Sequence, residues 1–310
     1  MKLVAAFFKL IRWPNLLFIA LTQSLFYFCV FENLLLIAEY PHSHLLFLLL
    51  VSASVIIAAA GYIINDYFDL QIDVINKPQK VVVDKIVKRR WAIIWHLLLS
   101  SLGIVLSLYV SYKIGNWVIA VVNSICVLLL WFYSTTFKRK VLSGNIIIAT
   151  LTAWVIIVVY FFCGANIINW QQKNIVFDVT KFFKYMVLYA GFAFIVSLIR
   201  EVVKDLEDMQ GDAKYNCRTM PIVWGVPASK VYTAVWLVVC IATLSIIQLY
   251  AVQLGWWPVA IYSILLIIIP LIFILRKLFK AKVANDYSQM SKQIKFIMLA
   301  GILSMLFFIF

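Results

Sequence analysis

Residues 44–65 read HLLFLLLVSASVIIAAAGYIIN, and residues 66–73 continue DYFDLQID. The first stretch runs twenty-two residues without Asp, Glu, Lys or Arg. A helix rising about 1.5 Å per residue needs roughly 20 such residues to cross a hydrocarbon core about 30 Å thick. The second stretch then sets Asp66, Asp69 and Asp73 directly at the end of the run. Comparable apolar runs recur over about 15–37, 91–112, 117–134, 144–163, 182–199, 231–252, 256–275 and 294–310. Together they predict an all-α polytopic membrane protein with nine transmembrane helices in one bundle.

The composition agrees. The 310 residues are 65% hydrophobic and only 13% charged, against roughly a quarter charged in a typical soluble domain. Too few charges remain to cover a water-exposed surface of this size. No stretch resembles a soluble domain or a linker, so residues 1–310 are expected to form a single domain. No A-x-A-like site follows the first apolar run, which argues against a removable signal peptide. The five cysteines (Cys29, Cys126, Cys163, Cys217 and Cys240) are scattered, without a CxxC pair, and imply neither a disulfide framework nor a zinc site.

The net charge of +14 calls for a membrane explanation before a nucleic-acid one. Of the 27 Lys and Arg residues, 23 flank alternate ends of the nine spans; Lys113, Lys173, Lys181 and Lys184 are on the other side. By the positive-inside rule the N-terminus and the basic face lie in the cytoplasm. The segment before Pro14 has Lys2, Lys9 and Arg12 along one helical side with Phe7, Phe8 and Ile11 elsewhere. Two readings stay open for it: an amphipathic helix in the interface, or a topogenic basic flank.

The scarce acids point to chemistry. Nine of the thirteen fall in two of the expected cytoplasmic loops: Asp66, Asp69, Asp73 and Asp84, then Glu201, Asp205, Glu207, Asp208 and Asp212. If the helix continues past residue 65, Asn65, Asp66, Asp69 and Asp73 lie within about 100° of one another. Glu201, Asp205, Asp208 and Asp212 lie within about 60°, although Gly211 is a candidate helix terminator. Like charges at this spacing destabilise a helix unless a cation compensates. Oxygen ligands without His or Cys suit Mg²⁺, which takes one or two carboxylates, waters and substrate phosphates. Helix capping is the bland alternative for one such cluster. It explains two clusters poorly.

The pattern Asn65-Asp66-x-x-Asp69-x-x-x-Asp73 resembles the first aspartate-rich motif of the UbiA-type membrane prenyltransferases, and Asp208-x-x-x-Asp212 resembles their second. Arg12 with Asn15, Tyr133-Ser134, Lys138-Arg139 and Gly144-Asn145 add to the likeness, which covers essentially the whole chain. Arg200-Glu201-x-x-Lys204-Asp205, Thr219-x-Pro221 and Asn76-Lys77-Pro78-x-Lys80 look most like the digeranylgeranylglyceryl phosphate synthase branch. Chlorophyll synthases share parts of both patterns. One departure stands out: Val81 follows Lys80 where the branch would have Pro.

The resemblance implies Mg²⁺-dependent transfer of an isoprenyl group, expected to be geranylgeranyl, from its diphosphate to a lipophilic acceptor, with geranylgeranylglyceryl phosphate preferred. It implies metal ligation by Asn65, Asp66, Asp69, Asp73, Asp205, Asp208 and Asp212, and substrate contacts from Asn15, Asn65, Lys77, Lys80, Lys138 and Arg139. Arg200, Lys204 and Arg218 are candidates for the acceptor's phosphate. Tyr62, Tyr67, Phe68 and Tyr133 could face an allylic cation; lipid-facing roles are the commoner alternative. Glu201 is open between metal ligand, partner of Arg200 or Lys204, and solvated charge. His42, His44 and His96 read as structural. An aromatic acceptor such as 4-hydroxybenzoate, for quinone synthesis, is the alternative within the class. A cation-coupled transporter is the alternative outside it, disfavoured because the acids lie at one rim rather than at the midplane. Neither nucleic acid nor an obligate protein partner is called for.

Overall fold

The computed structural model describes residues 2–34, 44–76, 78–79, 81–171 and 177–309. Among them nine helices are long and apolar enough to cross a membrane. In chain order the elements are α1 (Lys2–Leu10), α2 (Trp13–Leu25, extended by a π turn at Phe26–Phe31 and a 3-10 turn at Glu32–Leu34), α3 (His44–Phe68), α4 (Leu70–Asn76), α5 (Arg89–Ile114), α6 (Trp117–Thr135), α7 (Ser143–Gln171) and α8 (Val179–Lys214). They continue with α9 (Met220–Val223), α10 (Gly225–Gln253), α11 (Trp257–Ser263), a π turn at Ile264–Ile268, α12 (Ile269–Lys280) and α13 (Ala284–Leu303). Each expected span has its helix. Several reach further than hydropathy indicated: α7 runs to Gln171, α8 continues through Gly211 and Asp212 to Lys214, α10 begins at Gly225 and α13 at Ala284.

The described residues group into two compact units. The first comprises Met1–Phe137 with Trp154–Met186. Here Gly103 lets α5 approach α3, since a Cβ at that position would come 2.6 Å from Ile57 Cγ1. Small residues at such crossings are how apolar helices pack closely in lipid, where no hydrophobic drive separates helix from solvent. Polar side chains tie α5, α6 and α7 together. Asn123 Nδ2 donates to Ser107 Oγ at 2.9 Å, and Trp154 Nε1 donates to Asn123 Oδ1 at 2.8 Å. Pro14 suits the first turn of α2, where its missing N–H costs nothing.

α1 forms as a helix, its apolar side packed inward. Ala6, Leu10 and Ile11 share a core with Val82, Val83 and Val87 of the segment before α5, while Val4 and Phe8 are exposed. That packing accounts locally for the departure at Val81: the valine run supplies two fully buried side chains to the α1 contact. Lys9 Nζ donates to the Gln79 carbonyl at 3.0 Å and clamps the two segments.

The second unit comprises Lys138–Ala153 with Val187–Phe310. Its core joins Val196, Ile199, Val203 and Leu206 of α8 to Leu237 and Cys240 of α10, Leu271 and Ile274 of α12, and Ile294 and Ile297 of α13. Gly301 seats Phe192, whose ring would stand 2.4 Å from a Cβ there. All five cysteines are free and buried.

Candidate active site

In the first unit the acid motif straddles a bend. α3 ends at Phe68 and α4 starts at Leu70, with Asp69 between them. The i to i−4 ladder nonetheless persists: Asp69 N–H donates to the Asn65 carbonyl at 2.9 Å and Asp73 N–H to the Asp69 carbonyl at 2.8 Å. The motif therefore keeps the shared face that a continuing helix implies. Asn65 Nδ2 donates to Asp69 Oδ2 at 2.7 Å, and both residues are buried. Asp66 receives Arg12 Nη2 at 2.6 Å.

Arg12 occupies the junction between α1 and α2 with φ 53°, a left-handed conformation that costs an ordinary residue about 1–2 kcal/mol. Its N–H donates to the Lys9 carbonyl, closing α1, and its carbonyl accepts the Asn15 N–H at 2.8 Å, opening α2. The strained turn aims the guanidinium at the motif, 5.2 Å over the Tyr62 ring. Burial opposes its charge, but Asp66, Tyr62 and Asp73 outweigh that and hold it further above its ordinary range. Arg12 is thus cationic at any workable pH. Arg89 lies 4.8 Å over Tyr67. Both tyrosines, expected near an allylic cation, thus already carry a guanidinium on one face. Phe68 stands edge-on to Trp131. Lys77 and Lys80 lie outside the described residues.

In the second unit the acids stand on one uninterrupted helix. Asp205, Asp208 and Asp212 follow one another along the last turns of α8. Asp205 Oδ2 accepts a hydrogen bond from Asn145 Nδ2 at 2.8 Å, and Asn145, near the start of α7, is buried. Asp212 is buried too, and its carbonyl accepts the Cys217 N–H at 2.9 Å. Upstream, Glu201 accepts from Arg200 Nη1 at 3.1 Å and from Lys204 Nζ at 2.9 Å. This overturns the solvated-charge reading of Glu201: its side chain is 8% exposed and held between two cations. Lys138 and Arg139 lie in a 3-10 turn at Phe137–Arg139 before α7, and the Arg139 carbonyl accepts the Arg218 N–H at 2.8 Å. Arg218 itself is exposed.

Among the described residues no three His, Cys, Asp or Glu side chains converge as a ready-made metal cluster. The donor set still fits Mg²⁺, which needs only one or two carboxylates when water and phosphate complete its shell. Asn65 Oδ1 supports that fit: it is a buried acceptor with no hydrogen-bond partner. A cation beside it would satisfy a group that is otherwise costly to bury.

Two contacts were not foreseen as site features, Arg12 with Asp66 and Asn145 with Asp205. Arg12 and Asn145 had sequence signals as motif matches, but their partners lie 54 and 60 positions away. His96 is structural, with Nδ1 at 3.0 Å from the Ala60 carbonyl. His44 lies 3.9 Å from Glu32, far along α3 from the acids, and His42 falls outside the described residues.

Fold and clusters together define an integral membrane protein built from helices, with carboxylates gathered at two helix ends. The model of the UbiA prenyltransferase family matches residues 24–300, and the chain belongs to that family. The digeranylgeranylglyceryl phosphate synthase of Methanosphaera stadtmanae is 31% identical over 196 residues, 63% of this chain and 64% of that protein. The match thus spans slightly under two thirds of that relative's length. A solved structure of digeranylgeranylglyceryl phosphate synthase superposes over 99% of both chains, with TM-score 0.61 and 25% identity. A UbiA homolog from Archaeoglobus fulgidus, solved with DMAPP and Mg²⁺ bound, shares the fold at 14% identity: TM-score 0.59 over 96% of this chain and 98% of that one.

Proposed function

We infer that the protein transfers a geranylgeranyl group from its diphosphate to the free hydroxyl of geranylgeranylglyceryl phosphate, forming an ether lipid, and that residues 1–310 act as a single domain. What carries the reading is the pair of carboxylate clusters, each built on a helix end with an amide and a cation already in place. The likeness to digeranylgeranylglyceryl phosphate synthases supports the acceptor, and the fold shared with a homolog solved with DMAPP and Mg²⁺ supports the donor class and the ion.

Asn65, Asp66, Asp69, Asp73, Asp205, Asp208 and Asp212 would hold Mg²⁺, which neutralises the charge that grows on a departing diphosphate. Lys138 and Arg139 contact diphosphate oxygens through charge-assisted hydrogen bonds, with Asn15, Lys77 and Lys80 as further contacts. The allylic C–O bond breaks, the acceptor hydroxyl oxygen bonds to that carbon, and the hydroxyl proton is lost. Arg12 keeps Asp66 compensated while no substrate is bound, so that like charges along the motif do not unravel the helix end. The N-terminus and both motifs face the cytoplasm of the cell membrane, consistent with 23 of the 27 basic residues flanking that side.

The test is a Mg²⁺-dependent assay in detergent that offers geranylgeranyl diphosphate with geranylgeranylglyceryl phosphate or 4-hydroxybenzoate. Ether product is expected. Prenylated 4-hydroxybenzoate with no ether product would replace the acceptor. Substrate-dependent ion flux in proteoliposomes without prenyl transfer would replace the enzyme with a transporter.

A further inference from the structure

α1 has two apolar sides, and the protein interior uses only one of them. Ala6 and Leu10 pack against Val82, Val83 and Val87, whereas Val4 is 61% exposed and Phe8 49%. Val4 and Phe8 are one turn apart and share a stripe. That stripe is continuous with the wall of a long apolar helix. Phe8 meets Phe7 edge-on at 6.3 Å, and Phe7 lies 5.0 Å from Trp95 in the second turn of α5. Trp91 and Trp95, themselves one turn apart, are exposed at the start of this span, and exposed Leu98 and Leu102 continue the same line along it. Tryptophan at the end of a span marks the level of the lipid headgroups. α1 lies at that level.

The rest of this rim is basic. Lys9 stands about 100° round α1 from Phe8, and it is exposed, as are Lys85, Lys88, Arg89 and Arg90. Asp84 is the one exposed acid among the described residues from 2 to 171. Two of the lysines donate to carbonyls rather than to carboxylates: Lys9 Nζ to Gln79 at 3.0 Å and Lys85 Nζ to Pro78 at 2.8 Å. Asp66 and Asp73 are set against Arg12 instead. Like charges gathered on one surface repel one another unless an outside counter-charge answers them. An anionic leaflet is such a counter-charge, and each Lys or Arg held near it strengthens attachment roughly fivefold.

We propose that the outward face of α1 and the segment from Lys85 to Arg90 form a docking surface for anionic phospholipid headgroups of the bilayer. Val4 and Phe8 reach below the headgroup level, while Lys9, Lys88 and Arg90 meet lipid phosphates. An apolar stripe beside a basic one is the pairing by which an amphipathic helix sits in a membrane interface. An acidic protein surface would answer the charges but leave the apolar stripe in water. The seat of α1 matters because the helix ends on Arg12. The Arg12 N–H donates to the Lys9 carbonyl, and its side chain holds Asp66. Lipid that fixes α1 therefore also fixes the turn that aims Arg12 at the first acid cluster.

The experiment uses the full-length protein in neutral detergent micelles, with an environment-sensitive fluorophore attached through Val4→Cys. The five native cysteines are buried, which keeps the label to that site. Short-chain phosphatidylglycerol should shift the emission to the blue, and phosphatidylcholine at the same concentrations should not. In the double variant Lys88→Gln with Arg90→Gln, the half-saturating phosphatidylglycerol concentration should rise about 30-fold, fivefold for each cation. Added salt should weaken the wild-type response in the same direction. In the unlabelled wild type, an arm that needs no variant, phosphatidylglycerol should slow hydrogen exchange at the amides of residues 9–16 without any substrate present. An equal response to both lipids would overturn the proposal. So would no response, an unshifted half-saturation in the double variant, or unchanged exchange at residues 9–16. A label that follows protein concentration instead of lipid would assign the face to a second copy of the chain and overturn it as well.

Discussion

The two acid clusters solve the same electrostatic problem by different routes. In the first unit, the counter-ion for Asp66 arrives from Arg12, 54 residues away, at a left-handed turn between two helices. In the second, the counter-ions of Glu201 are its own neighbours on α8, one and three positions off. The first cluster thus depends on α1 and α2 docking correctly before its charges are compensated. The second carries its compensation in the same helix that carries its acids. Backbone follows suit: the first cluster bends at Asp69, whereas α8 runs unbroken to Lys214.

If both clusters hold metal, the largest effects should be symmetric. Asp69→Ala and Asp208→Ala should each lower kcat about a thousandfold or more, on the order of 4 kcal/mol in the barrier. Chelation should do the same and be reversed by Mg²⁺, followed as product formed per minute in detergent. Near-normal turnover in one variant would make that cluster dispensable and break the parallel. Asn145→Ala should raise the Mg²⁺ concentration for half-maximal activity about 10- to 100-fold, because Asp205 loses the amide that orients it. A full Mg²⁺ titration of the variant decides this.

Stability should divide the clusters. Glu201→Gln should cost about 2–3 kcal/mol, since it leaves two partly buried cations undercompensated. Arg12→Met should cost about 1 kcal/mol, because the Arg12 side chain is 35% exposed and water screens the pair. Thermal melts in detergent compare the two, and equal losses would erase the distinction. Smallest of all, Arg12→Gly should be more stable than Arg12→Ala by about 1 kcal/mol, because only glycine adopts φ 53° without a Cβ penalty. A melt that ranks alanine above glycine would mean the turn is not strained.

Hydropathy made the nine spans legible because lipid demands about twenty apolar residues in a row, and nothing else in a chain of this length imitates that. It misjudged α8 because it registers membrane thickness, not helix length. The charged turns from Arg200 to Lys214 are as helical as the apolar ones before them, and Gly211 does not end the helix. The acid motifs were readable from spacing alone, since residues four apart share a helical face. Their partners were not. Asn145 and Asp205 are brought together by α7 packing on α8, and Arg12 reaches Asp66 only through a turn whose geometry no local pattern announces. Glu201 was intermediate: an i, i+3 lysine suggested pairing, but nothing nearby announced that the carboxylate would be buried.

The length of α8 has a mechanical meaning. Thirty-six residues make a rod of roughly 54 Å, well beyond a hydrocarbon core of about 30 Å. Its final carboxylates therefore ride on a lever whose fulcrum lies in the lipid. A tilt of about 5° about a point near Phe192 would sweep Asp212, about 30 Å along the rod, through nearly 3 Å. That is more than the length of a metal–oxygen bond. Bilayer thickness is one influence on helix tilt and so bears on where these oxygens stand, whereas the first cluster sits where α3 gives way to α4 at Asp69.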